Sequence, residues 1–279
     1  MRFYKPESMS ELLDNLQDKS GKKYFLAGGT DINVQIKNGL IRDAEIFYIN
    51  HLNELKIIEE TAANDISIGA TATFLEILNS ALIKKYLPFL QSSLEDFASP
   101  ILQTSATIGG NIANGSPTAD VIPLLLVLDA RLELKSKAEI RMVPISEFFY
   151  GYKQSILNFD ELISKILISK TAEKGYLSFY EKVGARQALT IAKIALAGLK
   201  KVESGTISEI KLAVGSLNEY PRRLSQIEKY LLTESHTQIN RNKIEELLNR
   251  EITPITDLRS DKEYRFQVCA NLICTFLQQ

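Results

Sequence analysis

Histidine and cysteine are nearly missing from this chain: its 279 residues hold two of each, His51 and His236, Cys269 and Cys274. A Ser-His-Asp triad or a His-rich metal site would have to use one of two histidines in polar, loop-like stretches, and both read as surface residues. Cys269 and Cys274 lie five positions apart in an apolar helical stretch, on different helix faces, and read as small buried hydrophobes. Two cysteines cannot supply the four thiolates that an iron–sulfur cluster normally takes. Any single-electron chemistry must therefore find its clusters on another chain.

Long apolar runs are absent as well. The longest, Val121-Ile122-Pro123-Leu124-Leu125-Leu126-Val127-Leu128, stops at Asp129 and is too short to span a bilayer. The opening Met1-Arg2-Phe3-Tyr4-Lys5-Pro6 has no apolar h-region, so no signal peptide is read and a cytoplasmic protein is expected. No charge sign dominates: 33 Lys and Arg meet 34 Asp and Glu, which gives no electrostatic reason to expect nucleic acid or an anionic membrane as partner. Neither G-x-G-x-x-G after a strand nor G-x-x-x-x-G-K-S/T occurs, which argues against a Rossmann dinucleotide unit and a P-loop NTPase. There is no internal repeat and no low-complexity segment.

What is present is the composition of an ordinary soluble globular protein, 45% hydrophobic and 24% charged, in a length that calls for two or three compact units. A short helix is predicted over 8–16, with Ser8 as cap and Glu11 at the capping-box position. A strand over 22–27 follows, then a helix to about Lys37 capped by Thr30 or Asp31 and ended by Asn38-Gly39. With a strand over 45–50 this makes a small α/β unit. Further strands are predicted over 57–60, 65–70 with Ile66 and Ile68 inward, 131–135, 141–144, 163–168 and 177–183. Helices over 73–78, 88–98 and 118–128 complete a mixed α+β unit with an antiparallel sheet. The texture then changes. Strands over 190–199 and 207–215 are joined through Glu203-Ser204-Gly205-Thr206, a hairpin signal, and helices follow over 224–232, 241–248 and 260–277.

Two glycine pairs stand out. Gly28-Gly29 lies in Tyr24-Phe25-Leu26-Ala27-Gly28-Gly29-Thr30-Asp31, and Gly109-Gly110 in Ser105-Ala106-Thr107-Ile108-Gly109-Gly110-Asn111-Ile112. Each ends an apolar run and leads into a segment that reads as a helix. Glycine permits φ > 0 and close approach of a ligand, and loop amides opening onto a helix N-terminus form an anion site. Tight turns between strand and helix are the competing reading. After the second pair, Thr107, Asn111, Asn114, Ser116, Thr118 and Asp120 bring hydrogen-bonding side chains into fourteen residues otherwise rich in Gly, Ala and Ile, more than a turn requires.

The strings Ala27-Gly28-Gly29-Thr30-Asp31 and Thr107-Ile108-Gly109-Gly110-Asn111-Ile112-Ala113-Asn114, continued by Ser116-Pro117-Thr118-Ala119-Asp120, resemble the two FAD-binding motifs of a known family. It is the medium, flavin-binding subunit of the molybdenum hydroxylases: xanthine dehydrogenase, carbon monoxide dehydrogenase and nicotinate dehydrogenase. The C-terminal half is similar to that family's flavoprotein C-terminal domain, through Lys182-Val183-Gly184-Ala185-Arg186, the apolar strand after it, and Tyr264-Arg265 before the last helix. The resemblance covers essentially the whole chain. It implies an α+β fold: a two-subdomain FAD-binding domain of the PCMH/vanillyl-alcohol-oxidase-like type over 1–170, with subdomains of about 1–55 and 56–170. A C-terminal domain of antiparallel sheet plus helices would follow over 171–279.

The same resemblance implies FAD lying extended between the two subdomains. Backbone amides of Ala27, Gly28, Gly29, Thr30 and Asp31 would hold the pyrophosphate, and Thr107, Gly110 and Asn111 would contact phosphate and ribityl groups. Asp120 matches an acidic residue that binds a cofactor hydroxyl; a carboxylate beside a pyrophosphate would repel it, so sugar hydroxyl or flavin ring is the sensible target. Lys182 falls where relatives place a basic residue near the flavin, a cation able to stabilise an anionic reduced flavin; an exposed strand lysine is the other reading. Phe97 aligns with an aromatic beside the isoalloxazine, or else is a core contact of its helix. Ile166 or Leu167 would cover the other ring face. Thr30-Asp31 departs from the His-Ser of carbon monoxide dehydrogenase relatives, which leaves open which side chains touch the pyrophosphate. The extra four-Cys cluster of some relatives cannot form here.

The implied function is an FAD-dependent oxidoreductase subunit for electron transfer. It would take electrons from a [2Fe-2S] iron–sulfur small subunit, itself supplied by a molybdenum-cofactor large subunit, and pass them to NAD+ or another acceptor. No residue is assigned as a catalytic acid or base and none as a metal ligand. A free-standing FAD oxidoreductase and a flavin-free scaffold subunit are the alternatives.

Overall fold

The computed structural model describes residues 1–18, 21–186, 189–233 and 240–279; His236 lies outside the described residues. In chain order the first elements are β1 (Arg2–Tyr4), α1 (Met9–Asp18), β2 (Lys22–Leu26), α2 (Ile32–Lys37) and β3 (Ala44–Tyr48). Next come β4 (Ile58–Glu60), β5 (Asp65–Gly69), α3 (Phe74–Asn79), α4 (Ala81–Tyr86), α5 (Pro88–Ser93), α6 (Pro100–Gln103) and α7 (Ile108–Asn114). The middle of the chain holds α8 (Val121–Val127), β6 (Arg131–Lys135), β7 (Ile140–Pro144), β8 (Phe149–Gly151), β9 (Gln154–Ser155) and β10 (Leu162–Ser169). The last part holds β11 (Leu177–Val183), β12 (Ile194–Glu203), β13 (Thr206–Gly215), β14 (Arg222–Arg223), α9 (Ser225–Thr233), α10 (Arg241–Glu251) and α11 (Lys262–Gln278). The chain divides into two compact units: Met1–Asn114 with Ala130–Phe148 and Ser155–Lys170, and Gly115–Asp129 with Phe149–Gln154 and Thr171–Gln279.

The first unit contains two sheets. One is a parallel sheet in the order β1-β3-β2. Its central strand β3 is covered on both sides, as a parallel sheet requires. Phe47 and Ile49 meet Met9, Leu12, Leu13 and Leu16 of α1 in one cluster, and Ile46 meets Ile32 and Ile36 of α2 in another. The α1 positions recur at helical spacing, which is why a ten-residue segment folds as one amphipathic helix. The α2 helix ends in a Schellman turn: Gly39, at φ +69°, donates to the Ile36 carbonyl and Leu40 donates to the Gln35 carbonyl. The second sheet is antiparallel, in the order β4-β5-β10-β6-β7.

Two expectations for this unit change and one helix is added. The helix expected over 88–98 stops at Ser93, because Ala98 takes φ +55° and Ser99-Pro100 opens a new helix, with the Ser99 hydroxyl accepting from the Leu102 amide. The segment 81–86 is helical as well, started by a Ser80 cap. The strand at 177–183 forms where expected, but it pairs with β12 rather than joining the antiparallel sheet of this unit.

The second unit is an antiparallel sheet in the order β11-β12-β13-β14. The β12–β13 hairpin turns through Ser204 at φ +51° and Gly205 at φ +79°. One sheet face carries Ile194, Leu196, Leu212 and Val214 into a core shared with α9, α10 and α11, where Cys269 is fully buried and Cys274 half-buried. The α8 helix, all seven residues buried, packs against β12 and β13. Tyr264 and Arg265 lie inside the first turn of α11 rather than before it, since Asp261 caps the helix by accepting from the Tyr264 amide. Arg265 is fully buried; its guanidinium donates to the carbonyls of Lys193 and Ser216 and to Asp257, pinning three segments at one point.

Candidate functional site

The first glycine pair follows β2 directly. At the strand's end the Ile49 amide donates to the Leu26 carbonyl, and the chain then turns through Gly29 at φ +73°, where a side chain is disfavoured. Gly28 is needed for a different reason: a Cβ there would lie 1.6 Å from the carbonyl oxygen of Ser105. The first loop therefore rests on the segment that leads into the second, and the structure brings the two together. Among the described residues, the amides of Gly28, Gly29, Thr30 and Asp31 have no acceptor. Asp31 occupies the cap position of α2 but in a helical conformation, φ −111° and ψ −50°, so its carboxylate bonds Gln35 instead of capping.

The second pair differs from expectation. Gly109 and Gly110 do not form a loop ahead of a helix; they are the second and third residues of α7. The segment before them is laced to the start of α3: Phe74 donates to the Ala106 carbonyl, Ile108 to Ala72 and Gly109 to Ala70. A Cβ on Gly109 would come within 2.6 Å of both Cβ and O of Ala70. Thr107, 4% exposed, starts the helix by accepting from the Gly110 amide at 3.2 Å on its hydroxyl and from the Asn111 amide at 2.9 Å on its carbonyl. That cap offsets the low helix propensity of two glycines. Every amide from Ile108 to Asn111 thus has a partner within the protein. What this element offers is the face of Gly110, where a Cβ would meet only Thr107 Oγ1 at 2.8 Å, and the Asn111 side chain, whose Oδ1 is buried with no partner.

Phe97 lies in the turn after α5, its ring 4.2 Å from that of Phe74 and half-buried. Its position is set by a residue the sequence did not single out. Gln103, buried, donates to the Phe97 carbonyl at 2.7 Å and to the Glu95 carbonyl at 3.4 Å. On β10, Ile166 is fully buried between Ile68 and Leu132, whereas Leu167 points the other way and is half-buried. Of the two, Leu167 keeps surface for a ligand.

Asp120 and Lys182 belong to the second unit, and there they meet: Lys182 Nζ donates to Asp120 Oδ2 at 2.6 Å, with both side chains about 15% exposed. Lys182 is not an exposed strand lysine. Two residues earlier on the same face of β11, Tyr180 donates its hydroxyl to the Asp120 carbonyl at 3.1 Å. Alternation along the strand was the signal that could have found it. Burial pushes the Asp120 carboxyl above the usual aspartate value while the Lys182 ammonium opposes that shift, and burial beside Asp120 raises Tyr180. Asp120 Oδ1 is buried with no partner among the described residues. Asp120 sits at the cap position of α8 without capping it, its side chain turned to Lys182.

His51 corrects another expectation. It is half-buried rather than on the surface, stacked on Tyr48 with centroids 5.2 Å apart, and Nε2 lies 2.8 Å from the Pro6 carbonyl. Among the described residues no group of three or more His, Cys, Asp or Glu could hold a metal ion, and no helix is long and apolar enough to cross a membrane.

A family model for the FAD binding domain in molybdopterin dehydrogenase matches residues 1–170, and one for the CO dehydrogenase flavoprotein C-terminal domain matches 179–279. The xanthine dehydrogenase FAD-binding subunit of Escherichia coli O157:H7 is 28% identical over 95% of this chain and 91% of its own length. The glyceraldehyde dehydrogenase medium chain of Sulfolobus acidocaldarius is 29% identical over 95% of this chain and 93% of its own. Among solved structures, carbon monoxide dehydrogenase from Hydrogenophaga pseudoflava, in a form lacking the Mo-pyranopterin moiety of the molybdenum cofactor, superposes with a TM-score of 0.92. The identity is 25%, over 100% of this chain and 96% of that one.

Proposed function

Because this chain belongs to the family of FAD-binding domains of molybdopterin dehydrogenases, we propose that it is the FAD-carrying electron-transfer subunit of a molybdenum hydroxylase complex. The observation that carries the reading is the contact of the two glycine elements through Gly28 and Ser105, which joins four unpartnered amides to the side-chain-bearing face of α7. The donor set suits the cofactor. A pyrophosphate accepts hydrogen bonds only and matches free amides; a ribityl chain carries hydroxyl donors and matches the orphaned oxygen of Asn111. Bound FAD accepts electrons singly and gives up two as a hydride, and so can couple an iron–sulfur donor to a two-electron acceptor.

In this reading Ala27, Gly28, Gly29, Thr30 and Asp31 hold the pyrophosphate, and Thr107, Gly110 and Asn111 take phosphate and ribityl groups. Phe97 and Leu167 bear on the isoalloxazine, with Ile166 in the core behind Leu167. Asp120 accepts a cofactor hydroxyl, and Lys182 holds that carboxylate in place. The corresponding functional division is 1–170, with subdomains of about 1–55 and 56–170, for cofactor binding and 171–279 for the C-terminal domain. A [2Fe-2S] small subunit and a molybdenum-cofactor large subunit are the proposed partners, NAD+ or another acceptor the electron sink, and the cytoplasm the location. None of these residues needs to act as acid or base.

Purified protein tests this. A bound yellow chromophore with flavin absorbance, lost in Gly110→Val, is the expected result. A colourless protein that does not take up added FAD would sink the reading in favour of a scaffold, and steady NADH oxidation by the isolated chain would favour a free-standing enzyme.

A further inference from the structure

Asn50 and His51 are unused by the function proposed above, yet they occupy the edge of the parallel sheet where ligands gather. In open α/β sheets the binding crevice lies beyond the carboxyl ends of the strands. Three chain exits meet that edge: Pro6 after β1, the loop 27–31 after β2, and Asn50-His51 after the central strand β3. The Ile49 amide is bonded to the Leu26 carbonyl, so Asn50 and His51 leave the sheet beside the first glycine loop.

The hydrogen bonding of His51 fixes what it offers. Pro6 contributes a carbonyl, which only accepts, so Nε2 carries the proton and donates to it at 2.8 Å. Nδ1 of the neutral ring is then an acceptor, and among the described residues it is buried with no partner. The ring is held by its stack on Tyr48, 12° from parallel. Asn50 Oδ1 is a second buried acceptor with no partner. Buried polar atoms without partners are rare in folded proteins and call for an explanation. Two adjacent acceptors do not suit a phosphate, which has no proton to donate. They suit a group with hydroxyl or amino donors, placed next to an anion that the neighbouring amides take.

We propose that Asn50 and His51 recognise the adenosine half of FAD, accepting hydrogen bonds from its ribose hydroxyl or adenine amino groups while the first glycine loop holds the adjoining pyrophosphate. The proposal rests on the FAD reading and adds a specificity determinant to it: Asn50 and His51 make the chain prefer a dinucleotide to FMN.

The test is calorimetric titration of the flavin-stripped full chain with FAD, ADP and FMN, in the wild type, Asn50→Ala and His51→Gln. Glutamine keeps a donor for the Pro6 carbonyl and removes the Nδ1 acceptor. Each variant is expected to bind FAD and ADP about tenfold more weakly, the loss of one hydrogen bond to a buried partner, with FMN affinity and the melting temperature of the free chain unchanged. A wild type that binds no FAD would overturn the FAD reading. A wild type that binds FAD, with both variants holding FAD and ADP as tightly or losing FMN in equal measure, would overturn the adenosine assignment alone.

Discussion

Gly28 and Gly109 both stand where a Cβ has no room, one against the Ser105 carbonyl and the other against Ala70, while Gly29 and Gly110 are needed for other reasons. Gly29 bends the backbone into the left-handed region; Gly110 leaves a bare face on α7. Each pair thus divides its work between packing and ligand access, but the two present opposite chemistry. Among the described residues the first loop keeps four amides without acceptors and offers donors; in α7 the amides from Ile108 to Asn111 are bonded within the protein, and the Asn111 oxygen is left as an acceptor. A cofactor with an anionic centre and hydroxyl-bearing arms needs both kinds of partner. In the proposed reading two similar Gly-Gly strings would supply them, because one stays a loop and the other is drawn into a helix by Thr107.

The comparison breaks most visibly at Gly28. A methyl group at 1.6 Å from a backbone oxygen cannot be relieved by a rotamer change, so Gly28→Ala is expected to cost about 3 kcal/mol or more in urea denaturation and to abolish flavin binding. Gly109→Ala, whose contacts with Ala70 at 2.6 Å are a milder overlap, should cost less, about 2 kcal/mol. A Gly28→Ala protein as stable as wild type would mean that the two elements do not meet as described. On the ligand side the effects reverse. Gly110→Val should cost about 1 kcal/mol, since its Cβ would push on the Thr107 hydroxyl that caps α7 while glycine itself is a poor helix residue, yet weaken FAD at least tenfold by filling the open face. Asn111→Ala should weaken FAD by about tenfold with stability unchanged, because it removes an unpaired buried oxygen. Inorganic pyrophosphate sharpens the contrast: its binding, followed by calorimetry, should be indifferent to Asn111→Ala and reduced by Gly29→Ala.

The sequence pattern reached the elements whose signal is local. The strand at 177–183 matches β11 residue for residue, Ser204-Gly205 turns the hairpin, and the α1 helix follows from its apolar spacing. It missed α4 and α6 because helices of six and four residues are too short to show a period, and their starts depend on single hydroxyls, Ser80 and Ser99. It placed β11 in the wrong sheet because pairing with β12 is a long-range choice that no local pattern encodes. The candidate residues of both motifs were visible as residue types, but which amides are free was not: that depends on Ala70, Ala72 and Thr107. The Asp120–Lys182 pair spans 62 positions, and the orphaned atoms of Asn50 and His51 exist only once the sheet has formed.

The smallest effect is also the most specific, and it comes from pH. The amides of the first loop do not titrate, whereas the side-chain character that starts at Asn111 continues to Asp120, which does. Burial raises the Asp120 carboxyl in the fold and Lys182 opposes the shift. Protonation of Asp120 therefore favours folding: that contribution is full below about 3.9, the value in the unfolded chain, and disappears as pH rises through the raised folded value. Lys182→Met removes the opposing charge and leaves a buried carboxylate alone, so its cost in chemical denaturation should be larger at pH 8 than at pH 4, where a larger share of Asp120 is protonated. Adding Asp120→Asn to Lys182→Met should flatten that pH dependence. Equal costs at both pH values would show that Lys182 does not act through Asp120, and would return it to the role of a cation acting on the flavin directly.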